Sequence, residues 1–565
     1  MKDNEFTPKL FSLIRAGISK EQLAKDLTSG LIVGIVALPL AIAFAIASGV
    51  SPDKGILTAI IAGLIISALG GSRVQIGGPT GAFIVVVYAI VQAQGVGGLT
   101  IATFMAGFIL MAMGLARLGT LLKYIPYPLI VGFTSGIAVI IFSSQIKDFF
   151  GLPIQSVPAD FLEKWRVYSA NSNHINWTAV AIGLGTILIA FNFHRISSKI
   201  PGSLVAIVLA TLVVQLFGLP VNTIETAFGD IPNQLSMPSV PHVDYPTVKA
   251  LIQPAFAIAL LGGIESLLSA VVADGMIGGR HRPNAELVAQ GVANCFSAMF
   301  GGIPATGAIA RTATNVKNGG RTPIAGIAHA LVLLFIMLLL APLAKLIPLA
   351  CLSGILIVVA YHMSEWKQFT SLLRGNKLDV MILLVTFFLT VIFDLVIAIE
   401  IGVVLSSFAL MKRMADSISI QNAEDLFQNR KNGEPEKLFE DELPKLPTGV
   451  TVYEISGPLF FGAAQKFQDT INRLNRNPRI LILRMRNVPF IDATGMFRLK
   501  EIIKQFDSQK VSVLLSGVSP HVQADLEKYQ IHRILNKENI LDSFDEALKR
   551  ANELLTDIAQ PKKSG

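Results

Sequence analysis

From its N-terminus the chain opens with a polar segment in which Lys2, Asp3, Glu5, Lys9, Arg15, Lys20, Glu21 and Lys25 precede the first long apolar run, Leu31–Val50. Runs near the ~20 residues needed to cross a bilayer then recur to about Met411. They predict fourteen spans, near 28–49, 55–70, 79–93, 98–116, 125–146, 176–193, 202–218, 252–273, 285–301, 306–316, 323–342, 346–361, 378–395 and 396–411. Beyond them the pattern turns to strand and helix alternation, at Val450–Ile455, Ala463–Leu474, Arg479–Arg486, Thr494–Gln505, Val511–Leu515 and His521–Tyr529. That is the pattern of a small α/β layer domain. The expected organisation is a cytosolic N-terminal segment (1–27), a helical polytopic transmembrane domain (28–414), a charged linker (415–443) and the α/β domain (444–560).

Composition agrees with the pattern: 565 residues, 52% hydrophobic and only 15% charged, with a mean hydropathy of +0.58, describe a chain living mostly in lipid. No cleavable leader is expected, because the first residues are charged. The net charge of +8 is dispersed through short loops and forms no basic face, so nucleic acid is not an expected partner. With the N-terminus inside, Arg117, Lys123, Arg195, Lys199, Arg280, Arg282, Lys317, Arg321, Lys367, Arg374, Lys377, Lys412 and Arg413 all fall on the inner side. Both termini are therefore expected in the cytoplasm, in a multi-pass protein of the inner (plasma) membrane. Cys295 and Cys351 lie inside spans without ligand spacing, and His194, His242 and His281 lie in loops without partners. No nucleophile–base pair, metal constellation or phosphate loop stands out, so neither an enzyme nor a cofactor is expected.

An offset of 226 residues superposes Ala47 and Gly49 on Ala273 and Gly275, and Thr80-Gly81-Ala82 on Thr306-Gly307-Ala308. Seven spans separate the copies, which makes the repeat inverted. Each copy follows a Gly/Pro cluster, Gly77-Gly78-Pro79 or Gly301-Gly302-Ile303-Pro304. Non-helical backbone is costly in hydrocarbon and marks a protein-enclosed or watery site. The expectation is an extended stretch (73–77, 298–302) running into a half-helix that begins at Thr80 or Thr306. Inversion points the two helix starts at one another, so that free N–H groups and positive dipole ends converge on an anion. Thr80, Gly81, Ala82, Thr306, Gly307 and Ala308 are the candidate anion-binding residues; two kinked helices without a ligand are the alternative.

Arg311 would add a full positive charge in the second half-helix, unless it is a charge at the cytosolic edge. Glu265, deep within 255–273, must hold a proton or bind a cation, with Ser269 one turn on along the same face. A salt bridge between Glu265 and Arg311 is the structural alternative.

At these residues the chain resembles the SulP (sulfate permease) family of anion transporters. The resemblance is carried by Leu38-Pro39-Leu40-Ala41-Ile42-Ala43-Phe44-Ala45, Gln75-Ile76-Gly77-Gly78-Pro79-Thr80-Gly81, Gly263-Ile264-Glu265-Ser266-Leu267-Leu268-Ser269-Ala270, and Arg311 through Gly319-Gly320-Arg321. It implies a seven-plus-seven inverted repeat in which a core domain carries the anion against a gate domain, with Phe44 lining the site. It also implies secondary active transport of a small inorganic or carboxylate anion, sulfate being the commonest assignment; a homodimer is expected. Sodium-coupled bicarbonate carriers of the family look to have Asp and Thr where this chain has Glu265 and Ser269, so a proton is the expected coupling ion here. Sodium-coupled bicarbonate or C4-dicarboxylate transport, an anion channel on the same scaffold and a nucleobase carrier of related fold are the rival readings. Val488-Pro489-Phe490-Ile491-Asp492-Ala493-Thr494-Gly495 resembles the loop of STAS domains, where Thr494 occupies a phosphate-accepting position or caps the following helix.

Overall fold

The computed structural model describes residues 5–559 other than 123–125, 155–156, 197–200, 230–234, 236, 242–243, 394, 423–445 and 473–477. The chain forms two compact units, Met1–Ser406 and Ser407–Gly565. The apolar runs are helices: α1 (Lys20–Ala47), α2 (Pro52–Leu69), α3 (Ile84–Leu115), α4 (Tyr127–Phe149), α5 (Phe161–Ala170), α6 (Trp177–Asn192), α7 (Gly202–Phe217), α8 (Tyr245–Ile277), α9 (Pro283–Met299), α10 (Ile309–Lys317), α11 (Ile324–Ala344), α12 (Leu349–Met363) and α13 (Lys377–Ile392) in the first unit, and α14 (Leu395–Asp416), which begins in the first unit and ends in the second. A helix overlaps every predicted span. The spans at 79–93 and 98–116 share α3, whose helical geometry breaks at Gly95 (φ 67°) between them. Among the described residues, 6 helical segments are long and apolar enough to cross a membrane.

Local chemistry fixes where these helices begin. The side chains of Ser19 and Asn176 accept backbone N–H groups at the starts of α1 and α6. Proline occupies the first turn of α2, α4, α8 and α9, where its missing N–H costs nothing.

Two breaks in the helical pattern meet at the centre of this unit. Strand β1 (Gly77–Gly78) pairs antiparallel with β2 (Thr306–Gly307), Gly77 opposite Gly307 and Gly78 opposite Thr306. The second break departs from expectation: α9 continues to Met299, and the extended stretch follows the turn at Phe300–Gly301 rather than occupying 298–302. Small residues around this crossing allow close helix contact. A methyl group on Gly291 of α9 would lie 2.5 Å from the Gly107 carbonyl oxygen and 2.7 Å from the Met111 backbone nitrogen of α3.

In the second unit a five-stranded sheet runs in the order β3 (Ser419–Asn422), β4 (Val450–Ser456), β5 (Ile480–Asn487), β6 (Ser512–Ser516), β7 (Ile540–Leu541), antiparallel at β3–β4 and parallel beyond. One face packs Leu481, Leu483, Met485 and Leu515 on Phe467, Leu499 and Ile503. The other packs Val450, Val452, Ile480, Ile482 and Leu514 on Ala547 and Ala551, in the helix Phe544–Ala559. The start of the segment read as linker is structured, since α14 runs to Asp416 and β3 follows; residues 423–443 of it lie outside those described. A four-residue strand is too short for its alternation to stand out.

Replacing Gly291 by alanine should push α9 from α3 and destabilise the membrane unit by about 1–3 kcal/mol, the usual cost of overpacking. A lowered Tm of the purified protein in detergent is the expected result; an unchanged Tm would mean that the two helices can separate freely.

Candidate functional site

Leaving the helix exposes backbone N–H and C=O groups, which cost several kcal/mol each in an apolar interior if unpaired. Here buried side chains supply partners. In the first extended stretch, Ile76 N–H donates to Thr312 Oγ1 at 3.0 Å, the Ile76 carbonyl accepts from Ala308 N–H at 2.8 Å, and the Val74 carbonyl accepts from Asn315 Nδ2 at 2.8 Å. In the second, the Asn294 side-chain amide pairs with both backbone groups of Ala305 at 2.9 Å, while Thr58 and Ser297 hold the N–H and carbonyl of Ile303 at 2.7 and 2.8 Å.

Arg311 lies in the first turn of α10, because that helix begins at Ile309 and not at Thr306. Its side chain is 2% exposed. One guanidinium nitrogen, Nη2, donates to the Pro79 carbonyl, and Nη1 is buried without a partner among the described residues. A side chain at Gly78 would collide with Nη1, so glycine there lets the cation reach the strand crossing.

Thr80 Oγ1 donates to Glu265 Oε2 at 2.8 Å, which ties the start of the first half-helix to the carboxylate of α8. Glu265 and Arg311 are close enough to interact through space but form no ion pair. The two threonines of the repeat are therefore used differently: Thr306 donates to the Gly262 carbonyl at 2.7 Å and caps nothing. Ser269 does not join Glu265 either. Its hydroxyl donates to Thr312 Oγ1 at 3.4 Å, since a buried hydroxyl takes the acceptor that α10 presents to it. The first half-helix opens with a short 3-10 turn, Gly81–Phe83, before α3. No acceptor among the described residues takes the N–H groups of Gly81 and Ala82 or of Ile309 and Ala310. Gly81 faces Phe44, Ile141 and Met363, whose atoms would lie 3.5, 3.3 and 3.0 Å from a methyl group placed on it. Phe44, Thr80, Gly81, Ala82, Thr306, Gly307, Ala308 and Arg311 are all buried.

Sequence reasoning missed a polar cluster beside this crossing. Glu286, fully buried near the start of α9, accepts from the N–H groups of Gly71 and Ser72 at 2.8 and 3.1 Å, from Gln290 Nε2 at 2.9 Å and from Ser266 Oγ at 3.2 Å. Gln75 Nε2 donates to the same Ser266 hydroxyl at 2.9 Å and passes where a side chain at Gly307 would stand. An acidic residue in a first helical turn reads as an ordinary surface group, and only the long-range contact reveals Glu286. In the α/β unit, Asp492 is the helix cap: its Oδ1 accepts from Gly495 N–H at 2.7 Å, which leaves Thr494 exposed as the helix's second residue rather than its cap.

Residues 23–386 match the sulfate permease family, and residues 444–547 match the STAS domain. YvdB of Bacillus subtilis (strain 168), provisionally named as a sulfate transporter, is 39% identical over 532 residues, covering 94% of this chain and 98% of that protein. The bicarbonate transporter BicA of Picosynechococcus is 30% identical over 542 residues, 93% of this chain and 94% of the other. The murine solute carrier 26 family member A9 anion transporter, solved in the inward-facing state, shares the fold: TM-score 0.85 at 19% identity, over 97% of this chain and 94% of that one.

Replacing Glu286 by glutamine would turn one acceptor oxygen into a donor against donors. The membrane unit should lose about 1–3 kcal/mol or more, the cost of buried groups left unsatisfied. Thermal unfolding in detergent checks this, and a variant as stable as the parent would mean that the two hydrogen bonds from Gly71 and Ser72 do not hold that turn.

Proposed function

This chain belongs to the sulfate permease family and is an anion transporter, and we propose that it carries sulfate by proton-coupled secondary active transport, with the anion held between the two half-helix starts. It would work by alternating access in the cell's inner membrane, as a homodimer with both termini in the cytoplasm. The observation that carries this reading is the hydrogen bond from Thr80 to Glu265.

A threonine hydroxyl has one proton to donate. While Glu265 is ionised, that proton is committed to the carboxylate. When Glu265 takes up a proton, its own O–H can donate to Thr80, and the Thr80 proton is free for an anion beside the N–H groups of Gly81 and Ala82. Proton and anion then favour one another's binding, as symport requires. The unpartnered Nη1 of Arg311 supplies a charge-assisted donor at the same place.

Sodium coupling would call on Glu265 and Ser269 as joint oxygen ligands; the Ser269 hydroxyl donates to Thr312 and keeps its lone pairs, so the sodium dependence of uptake separates the two coupling ions. Bicarbonate, the substrate named for BicA, would meet the same donors, so anion identity is set by uptake and not by the donor set alone.

Uptake of radiolabelled sulfate into proteoliposomes tests the scheme. In the parent an inward proton gradient should accelerate uptake, with no saturable dependence on sodium. Glu265→Gln and Thr80→Val should keep anion exchange but lose that acceleration, and Thr80→Ser should retain it. Concentrative, gradient-driven uptake by Glu265→Gln would remove the residue from coupling, and a parent that takes up labelled bicarbonate but not sulfate would reassign the substrate.

Arg311→Ala should weaken anion binding by about tenfold or more, from the loss of a charge-assisted hydrogen bond of ~1.5–3 kcal/mol. Thermal-shift titration with sulfate measures it; unchanged affinity in a folded variant would place the anion elsewhere.

A further inference from the structure

A cavity of about 670 Å³ opens at the end of the membrane unit that charge distribution assigns to the outside, bounded by Ala47 at the end of α1, by Gly49 just beyond it, and by Gln145, Lys147 and Asp148 of α4. It reaches Ile84, one turn beyond Gly81, and stops short of Thr80 and Arg311. Helix α5 closes one side. Asp160 caps that helix, its Oδ1 accepting from Glu163 N–H at 2.9 Å, and so places Lys164 one turn in.

Lys164 lines the cavity while being only 3% exposed, with its Nζ 5.7 Å from the centroid of the Tyr88 ring on α3. Among the described residues no carboxylate comes within ion-pair distance of it. Asp160 acts on it only through space and is spent as a cap; Asp148 lies beside Lys147. Burial lowers the Lys164 pKa, and Asp160 partly offsets this. A desolvated ammonium facing a ring is incompletely compensated, and an anion is the group that completes it. At about 30 Å³ of liquid volume per water, the cavity has room for a small anion with much of its hydration shell.

We propose that this cavity is a second, outer anion site, in which Lys164, held over the Tyr88 ring, receives a small inorganic anion from the aqueous side, the Tyr88 hydroxyl being engaged with the Val157 carbonyl. Its role in delivering that anion to the strand crossing rests on the transport reading above; its existence does not. An entry site of this kind raises the local anion concentration and the capture rate. It leaves the central site, where proton coupling is assigned, to determine the maximal rate.

Trp165, next to Lys164, donates to Ser143 Oγ at 3.3 Å and is a built-in reporter. With Trp177→Phe and Trp366→Phe it becomes the sole tryptophan, the chain having 3. Iodide should quench it with a saturable component that sulfate competes away. Lys164→Gln and Lys164→Met should leave only linear, collisional quenching by iodide, with neutral acrylamide quenching unchanged, while Lys164→Arg should keep the saturable component. Purely linear iodide quenching in the parent, or a saturable component surviving in either uncharged variant, overturns the proposal. In proteoliposomes the same uncharged variants should raise the KM for labelled sulfate about tenfold at an unchanged maximal rate. Loss of the maximal rate instead would contradict an entry role. A parent that transports no sulfate would count against the transport reading alone, since the quenching measurement stands apart from turnover.

Discussion

The first unit depends on backbone hydrogen bonding where no water is at hand. Two strands of two residues each cross among apolar helices, and a two-residue ladder can satisfy only a fraction of the polar groups that the breaks release. Thr58, Asn294, Ser297, Thr312 and Asn315 complete the accounting, each a short side chain placed on a helix facing the break. These partners come from both halves of the chain: Thr58 holds Ile303, while Thr312 and Asn315 hold Ile76 and Val74. Neither break can be satisfied without the other half. The crossing is therefore a single cooperative object, and the half-helix starts at Gly81 and Ile309 are positioned by it.

How much of this could be read from the sequence follows from the range of each contact. Apolar run length is local, so the spans emerge directly, and even the interruption of α3 at Gly95 was visible as a gap between two runs. The Gly/Pro clusters and the 226-residue offset announced two breaks that belong together, and β1–β2 pairing brings them into contact. What stays hidden depends on partners beyond the local pattern, 43 positions away for Ser269 and 215 for Glu286 with Gly71. Periodicity places Ser269 on the face of Glu265, but which acceptor its hydroxyl takes is decided by α10. Glu286 looked like a helix-start acid because its partners, Gly71 and Ser72, arrive from the other repeat. The cap of the helix after β5 is local: Asp492, a side-chain acceptor three residues before the Gly495 N–H, fills the capping place that the sequence reading offers to Thr494.

Charge placement at the crossing explains why such a site can tolerate a buried arginine and a carboxylate without fusing them. A direct ion pair in a low-dielectric interior is hard to open, and it would consume both the positive donor and the titratable group. Here each is held by a different neutral partner instead: Arg311 by the Pro79 carbonyl and Glu265 by the Thr80 hydroxyl. Pro79 and Thr80 are consecutive residues, so both charges grip the same short piece of backbone. Each is fixed in position while keeping part of its hydrogen-bonding capacity unspent.

That arrangement makes the two copies of the repeat chemically unlike. The repeat supplies two similar helix starts, yet their threonines diverge: Thr306 is locked onto the Gly262 carbonyl, which cannot change protonation, whereas Thr80 is bound to the carboxylate of Glu265, which can. The structural copy fixes the geometry and the other copy is left responsive. Because Thr312 also joins Ile76 of the first extended stretch to Ser269 of α8, a displacement of the first half-helix start pulls on the helix that carries Glu265. The first half-helix start and the Glu265 carboxylate consequently share one mechanical unit, and a change at either is felt at the other through bonds of about 3 Å rather than through the field alone.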